Sequence, residues 1–186
     1  MSEEISDLII LTETRKWLEK AVIGLNLCPF AKAAYLQNQI RMKISTATSP
    51  ESLLEDLMVE MQFLADTEPA KIDTSLLIHP SVLTNFFDFN DFLGVAEQAL
   101  LELKLEGILQ VASFHPDYQF ADTAPDDITN FTNRSPYPIL HLLRETSVGN
   151  AVDSHPDPES IPEKNMEILR KLGISGWKKL FQKQIH

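Results

Sequence analysis

Three short apolar runs, separated by two stretches with helical spacing, restrict the folds open to this chain more than any other feature. Ile40, Met42 and Ile44 alternate with Arg41, Lys43 and Ser45, the two-residue period of a half-buried strand. Thr74 to His79 and Ile108 to Phe114 are nearly continuous apolar runs, each closed by a His-Pro pair, as expected of strands buried on both faces. Between the first two runs, Ser49-Pro50-Glu51 reads as an N-cap and first helical turn, and Leu53, Leu54, Leu57, Met58, Met61 and Leu64 carry the apolar stripe. Between the second and third, Asn90 or Asp91 caps a helix bearing Phe92, Val95, Ala96, Ala99, Leu100 and Leu103, and Gly107 ends it. The order β-α-β-α-β predicts an α/β fold: a small layered sheet of about three core strands in parallel pairing, joined by right-handed crossovers and flanked by helices. A ferredoxin-like α+β sheet is the alternative, because three strands do not fix a topology.

Other segments read as helices. Trp17, Leu18, Ala21, Val22 and Leu25 predict an amphipathic helix over Leu11 to Leu25, ending near Gly24 to Asn26. Pro29 opens a short helix through about Leu36, with Cys28 at its N-cap. Ser135 and Pro136 have the form of an N-cap and first position, predicting a helix to about Val148. Gly149 to Glu159 is a Pro- and Asp-rich connection. Pro162 to Leu172 and Gly176 to Gln184 then form a helical extension, from about residue 157, of one domain spanning residues 1–186.

Charge narrows the partners. With 27 acidic against 16 basic residues the net charge is -11, which opposes the phosphate neutralisation behind most nucleic-acid affinity. Lys178, Lys179 and Lys183 read as a solvated helix face. Met1 to Asp7 is acidic and lacks the basic start of a secretory signal, and no run approaches the roughly 20 apolar residues of a membrane span. A single cysteine, Cys28, leaves no internal disulfide and fits a reducing, cytoplasmic setting.

Chemistry concentrates after the third run. If the second and third strands are neighbours, His79 and His115 start from backbones about 5 Å apart at the carboxyl edge of the sheet, where ligands gather in such folds. Asp117 then orients His115 as a general acid/base, with His79 assisting. The plainer alternative is that each histidine closes its strand and bonds a loop carbonyl. The loop from His115 to Pro138 also carries Tyr118, Asp122, Asp126, Asp127, Asn130, Asn133 and Arg134, with aromatic residues to anchor it. Arg134, just before the Ser135 cap, is placed to hold a carboxylate or phosphate together with helix N-H groups, Asn133 and Tyr118. On that helix His141, Arg144 and Glu145 share the face opposite Ile139, Leu140, Leu142 and Leu143, which makes Arg144 a second candidate, beside Arg134, to bind the substrate's charge, with His141 also a candidate substrate-binding residue. Cys28 at a helix N-cap would be an activated thiol if accessible. The histidines and loop aspartates could supply divalent-metal ligands, but no HxH or HExxH spacing selects them. No Walker-A, GxGxxG or GxSxG string is present, so standard nucleotide folds lose support, and the sequence leaves the cofactor unknown.

Thr14-Arg15-Lys16-Trp17-Leu18, Asn26-Leu27-Cys28-Pro29-Phe30-Ala31, His115-Pro116-Asp117-Tyr118-Gln119-Phe120, Thr132 to Pro138 and His141 to Glu145 together resemble a bacterial family catalogued as a domain of unknown function. The resemblance runs from about Thr14 to Val148. It implies a bacterial, cytosolic origin and brings no assigned catalytic residue. The sequence reading is therefore a small-molecule enzyme acting on an anionic substrate. A non-enzymatic binding or assembly protein is the rival; it predicts an exposed apolar patch near Phe86 to Phe92 and no deep pocket. A divalent-metal protein is the third reading. The oligomeric state is not legible.

Overall fold

A computed structural model describes residues 2–182; Met1, Lys183 and Gln184, which enter the sequence expectations, lie outside the described residues. The elements are α1 (Ser2–Trp17), continued by a π-helical turn over Leu18–Ile23, then α2 (Ala31–Leu36), β1 (Ile40–Ile44), α3 (Pro50–Asp66), β2 (Thr74–Ile78), α4 (Phe86–Glu102), β3 (Leu109–Phe114), β4 (Ile139–Arg144), α5 (Glu145–Ser154) and α6 (Ile161–Phe181). One 3-10 turn spans Ile128–Thr132 and another Pro158–Ser160.

The α/β class is as expected, with one addition that changes the topology. The sheet has four strands in the order β1-β2-β4-β3; β1 and β2 are parallel, and β4 runs antiparallel between β2 and β3. The expected helix from Ser135 to Val148 is thus wrong: Ile139–Arg144 is a central strand, and the helix begins at Glu145. The physical reason is burial on both faces. Leu140 and Leu142 join the core under α3 and α4 while Ile139 faces α1, so the apolar residues run almost without alternation. Over so short a run, periodicity does not separate strand from helix. Ser135 is not a cap; its hydroxyl donates to the Tyr137 carbonyl at 2.5 Å in a turn entering the strand.

Two cores sandwich the sheet. Leu53, Leu57, Met61 and Leu64 of α3 and Phe89, Phe92, Ala96 and Ala99 of α4 pack against Leu77, Leu140 and Leu142. Trp17, Leu18, Ala21 and Val22 cover Leu76, Ile78 and Ile139 on the other face. Ser49 caps α3 as expected, accepting from Ser52 N–H, with Pro50 in the first turn. The cap of α4 is Asn85, not Asn90 or Asp91: its Oδ1 accepts from Phe87 and Asp88 N–H, and the extra turn brings Phe89 into the core. Nor does Gly107 end α4. Lys104, at φ 59°, closes it through Lys104 N–H to Leu101 O and Leu105 N–H to Leu100 O. Asn26 and Asn38 close the preceding helical segments with the same pair of bonds.

The two C-terminal helical stretches are joined in α6, with Gly173 (φ 65°, ψ 171°) as a sharp kink between them. That backbone region is nearly confined to glycine, and nothing lies within 4 Å of the site a Cβ would occupy. Gly173→Ala should therefore cost about 1–3 kcal/mol through backbone strain alone. Thermal melts check this, and an unchanged Tm contradicts it.

Candidate functional site

His79 and His115 do not sit on adjacent strands, because β4 lies between β2 and β3. Their side chains nevertheless flank one residue: Phe89 lies 5.6 Å from the His79 ring, stacked, and 5.1 Å from the His115 ring. Both imidazoles are fully buried. His79 Nδ1 bonds Val82 O at 2.9 Å, which makes Nδ1 the protonated nitrogen and leaves Nε2 as a buried acceptor without a partner among the described residues. His115 has the other tautomer: Nδ1 accepts from Asp117 N–H at 3.0 Å and Nε2 donates to Leu83 O at 3.2 Å. Asp117 thus orients His115 with its backbone amide, and its own side chain is exposed. The two histidines pin the Pro80–Asn85 loop, where Leu83 is held at φ 53°, a costly angle for a branched side chain. Burial holds the His79 imidazole down to about 4 and also lowers His115, so both are neutral at pH 7.

His141 and Arg144 are not on a helix face. His141, midway along β4 on the α1 side of the sheet, pairs with Leu76 and Ala112; its Nε2 meets Thr74 Oγ1 at 2.7 Å, and burial lowers its pKa to about 4. Arg144 is buried, with Nη2 facing the carbonyls of Leu64 (2.6 Å), Thr67 (2.5 Å) and Ile72 (3.1 Å). It ties the end of α3 to the start of β2. Glu145 is exposed as the first residue of α5.

Cys28 is not the N-cap of a helix either. Phe30 holds that position, and Cys28 is a half-buried side chain packed against the core under α1. Among the described residues no three His, Cys, Asp or Glu side chains gather as metal ligands. Of the expected patch at Phe86 to Phe92, Phe87 is strongly exposed while Phe89 and Phe92 are buried.

The loop after His115 is ordered by its own polar groups. Asn130 is fully buried: Oδ1 accepts from Phe120 N–H at 3.0 Å and from Thr123 Oγ1 at 2.8 Å, and Nδ2 donates to Ala124 O at 2.9 Å. Asn133 bridges to β3, donating from Nδ2 to Ser113 O and accepting from His115 N–H. Arg134 clamps the loop from inside, with Nε to Tyr118 O at 3.1 Å and Nη2 to Pro125 O at 2.6 Å; its guanidinium lies 4.5 Å from the centre of the Phe131 ring. Among the described residues Nη1 has no hydrogen-bond partner. With no helix starting at Ser135, the helix N-H groups expected to assist Arg134 are absent.

Arg134 instead opens onto a cleft of about 420 Å³ between α1, the loop and α6. Glu13, Lys16 and Trp17 line it from α1, Pro116, Phe131, Arg134, Ser135 and Pro136 from the loop, and Trp177 and Phe181 from α6 beyond the Gly173 kink. These include both tryptophans of the chain. The walls are mutually braced. Trp17 Nε1 donates to Arg134 O at 2.8 Å, Phe131 and Trp177 meet edge to face at 5.0 Å, and Lys16 Nζ reaches Phe181 O at 2.5 Å. Burial, together with its bond to the Glu13 carboxylate, raises the Tyr137 phenol to about 12. Burial pulls the Arg134 guanidinium below its usual value, and the nearby Asp117 charge acts in the opposite sense.

The sequence reading found Arg134 but missed Glu13, Lys16, Trp17, Trp177 and Phe181. The signal available for the two tryptophans was their rarity; nothing in the local pattern linked α6 to the loop.

A mixed α/β sheet with an ordered loop beside an aromatic, charge-lined cleft is the class of protein the geometry defines. The family described as "Protein of unknown function (DUF1415)" matches residues 9–179, and the chain belongs to it. No curated protein and no solved structure matches the chain. No helix among the described residues is long and apolar enough to cross a membrane.

Proposed function

We propose that the protein binds an anionic small molecule with a flat apolar body in the cleft between α1, the loop and α6. One observation carries this reading: Trp17, Phe131, Trp177 and Phe181 meet around one opening together with Arg134 and Lys16. Aromatic walls with few, well-placed polar groups are the usual chemistry of a small-molecule site. The ligand's apolar body lies against the rings, its carboxylate or phosphate faces Arg134 Nη1 and Lys16, and Glu13 favours a hydrogen-bond donor on the ligand. Binding is better supported than acid/base catalysis, because both nitrogens of His115 are already engaged by backbone partners away from solvent.

Tryptophan fluorescence tests this directly, since both reporters line the cleft. Titration with indole-3-acetate and phenyl phosphate should quench or shift the emission, and Lys16→Met should weaken binding about 10-fold, the equivalent of roughly 1.4 kcal/mol. Arg134→Lys keeps the charge but loses the planar fork, and should weaken binding by a similar factor. A silent titration at millimolar ligand, or variants binding as tightly as the parent, would sink the proposal.

A further inference from the structure

The open edge of the sheet carries a second inference, independent of the cleft. β1 is an edge strand with β2 on one side. Gln39 O accepts from Thr74 N–H and Ser45 N–H donates to Ile78 O, so by the alternation of a parallel ladder Arg41 and Lys43 direct their backbone groups to β2. Ile40, Met42 and Ile44 therefore turn their N–H and C=O groups outward. Among the described residues these groups have no hydrogen-bond partner. Natural edges are blunted by shortness, by charged side chains, by proline, bulges or a covering segment; β1 has neither proline nor bulge, and its edge charges are the basic pair Arg41 and Lys43, which repel a like-charged strand and leave an acidic one as the complementary partner.

Beside this edge, on the α1 face, Leu11, Arg15, Tyr35, Leu36, Asn38, Ile40 and Met42 line a groove of about 610 Å³. Leu8 lies on the same stripe of α1 as Leu11 and Arg15; Leu8 is 66% and Leu36 69% exposed. On the opposite face the same strand presents Arg41 and Lys43. Arg41 is partly neutralised by Glu60 at 2.7 Å, and Lys43 is exposed.

We infer that β1 and its groove accept an extended segment of a partner protein as an added strand, with apolar residues alternating with acidic ones. Backbone pairing to Ile40, Met42 and Ile44 supplies the register. The apolar side chains enter the groove of Leu11, Leu36, Ile40 and Met42, and the acidic ones face Lys43 and Arg41 on the other side, with Arg15 at the groove rim. Charge also argues against a second copy of this chain as the occupant. In a symmetric antiparallel pairing centred on Met42, each Arg41 stands opposite Lys43 of the other copy, a like-charge arrangement that disfavours pairing.

The test uses the full chain and a short fluorescein-labelled peptide alternating valine and glutamate, with a valine–lysine peptide as control. The acidic peptide should raise the anisotropy, more strongly at low salt, while the basic one does not. In hydrogen exchange, the amides of Ile40, Met42 and Ile44 should be fast in the free protein and become protected with peptide, while Arg41 and Lys43 stay unchanged. Met42→Pro removes an outward N–H without touching the β2 ladder and should weaken binding at least about tenfold. Lys43→Glu, at an exposed site, should weaken it as well and carries the test if Met42→Pro does not fold. Equal binding of both peptides, no anisotropy change at millimolar peptide, or unprotected outward amides overturns the inference. So does a concentration-dependent dimer in sedimentation that Lys43→Glu strengthens, since the occupant is then a second copy.

Discussion

Lowering the pH from 7 to about 4.5 should cost this protein several kcal/mol of stability, with buried histidine as the main cause. In the unfolded chain His79, His115 and His141 take up protons as the pH falls through about 6.5. In the folded protein His79 and His141 do so only near 4, and His115 is shifted in the same direction. Between those values the unfolded state binds more protons, so stability is complete above about 6.5 and falls with pH down to about 4. His79, with no exposed surface and no partner for Nε2 among the described residues, accounts for about 3 kcal/mol. His141 is half-buried by surface area and bonded to Thr74, so its share is smaller. Protonating surface carboxylates relieves some repulsion in a chain of net charge -11, an opposing effect that salt screens. Urea denaturation at pH 7.5, 6 and 5 in moderate salt should give falling midpoints, and His79→Leu should flatten the dependence. A midpoint constant from pH 7.5 to 5 would refute the assignment.

Arg144→Met should destabilise the fold by about 3 kcal/mol and leave cleft binding unchanged. The substitution keeps apolar bulk but removes the donor facing Leu64, Thr67 and Ile72 carbonyls. Leu64 O retains Thr67 N–H, whereas Thr67 O and Ile72 O lose the guanidinium. Removing a charged donor and leaving partly buried acceptors unpaired costs more than the bond's net worth when formed. A substrate-binding arginine would give the opposite pattern: weaker ligand binding with an unchanged urea midpoint. The two measurements on one variant therefore decide between the sequence reading of Arg144 and its observed place.

The contrast shows what local pattern can convey. β1, β2, β3 and α3 were legible because their period, caps and closing residues agree with one another. β4 was not, because a strand buried on both faces by α3, α4 and α1 has no alternation to display, and Ser135-Pro136 imitates a helix start. Missing that strand displaced every inference built on it: the adjacency of His79 and His115, the helix N-H groups beside Arg134, and the shared face of His141 and Arg144. The cleft depends on contacts of Trp17 with Arg134 and of Trp177 with Phe131, pairs that are far apart in sequence. Their meeting follows from how α6 folds back across the Ile128–Thr132 turn, and no short window of sequence records that.

The placement of β4 also bears on how the chain reaches its fold during synthesis. β3 emerges well before its strand partner, and the facing edges of β2 and β3 stay unpaired until Ile139–Arg144 has left the ribosome. Until then β1 and β2 can pair, but the sheet has a gap at its centre and Leu77, Phe89 and Leu109 lack the leucines that cover them. The nascent protein thus passes through a stage in which the strand edges later filled by β4 are open and an apolar face is uncovered, the condition in which chains aggregate most readily and holding chaperones bind. Insertion of β4 ends that exposure in one event, which makes completion of the sheet a late and cooperative step.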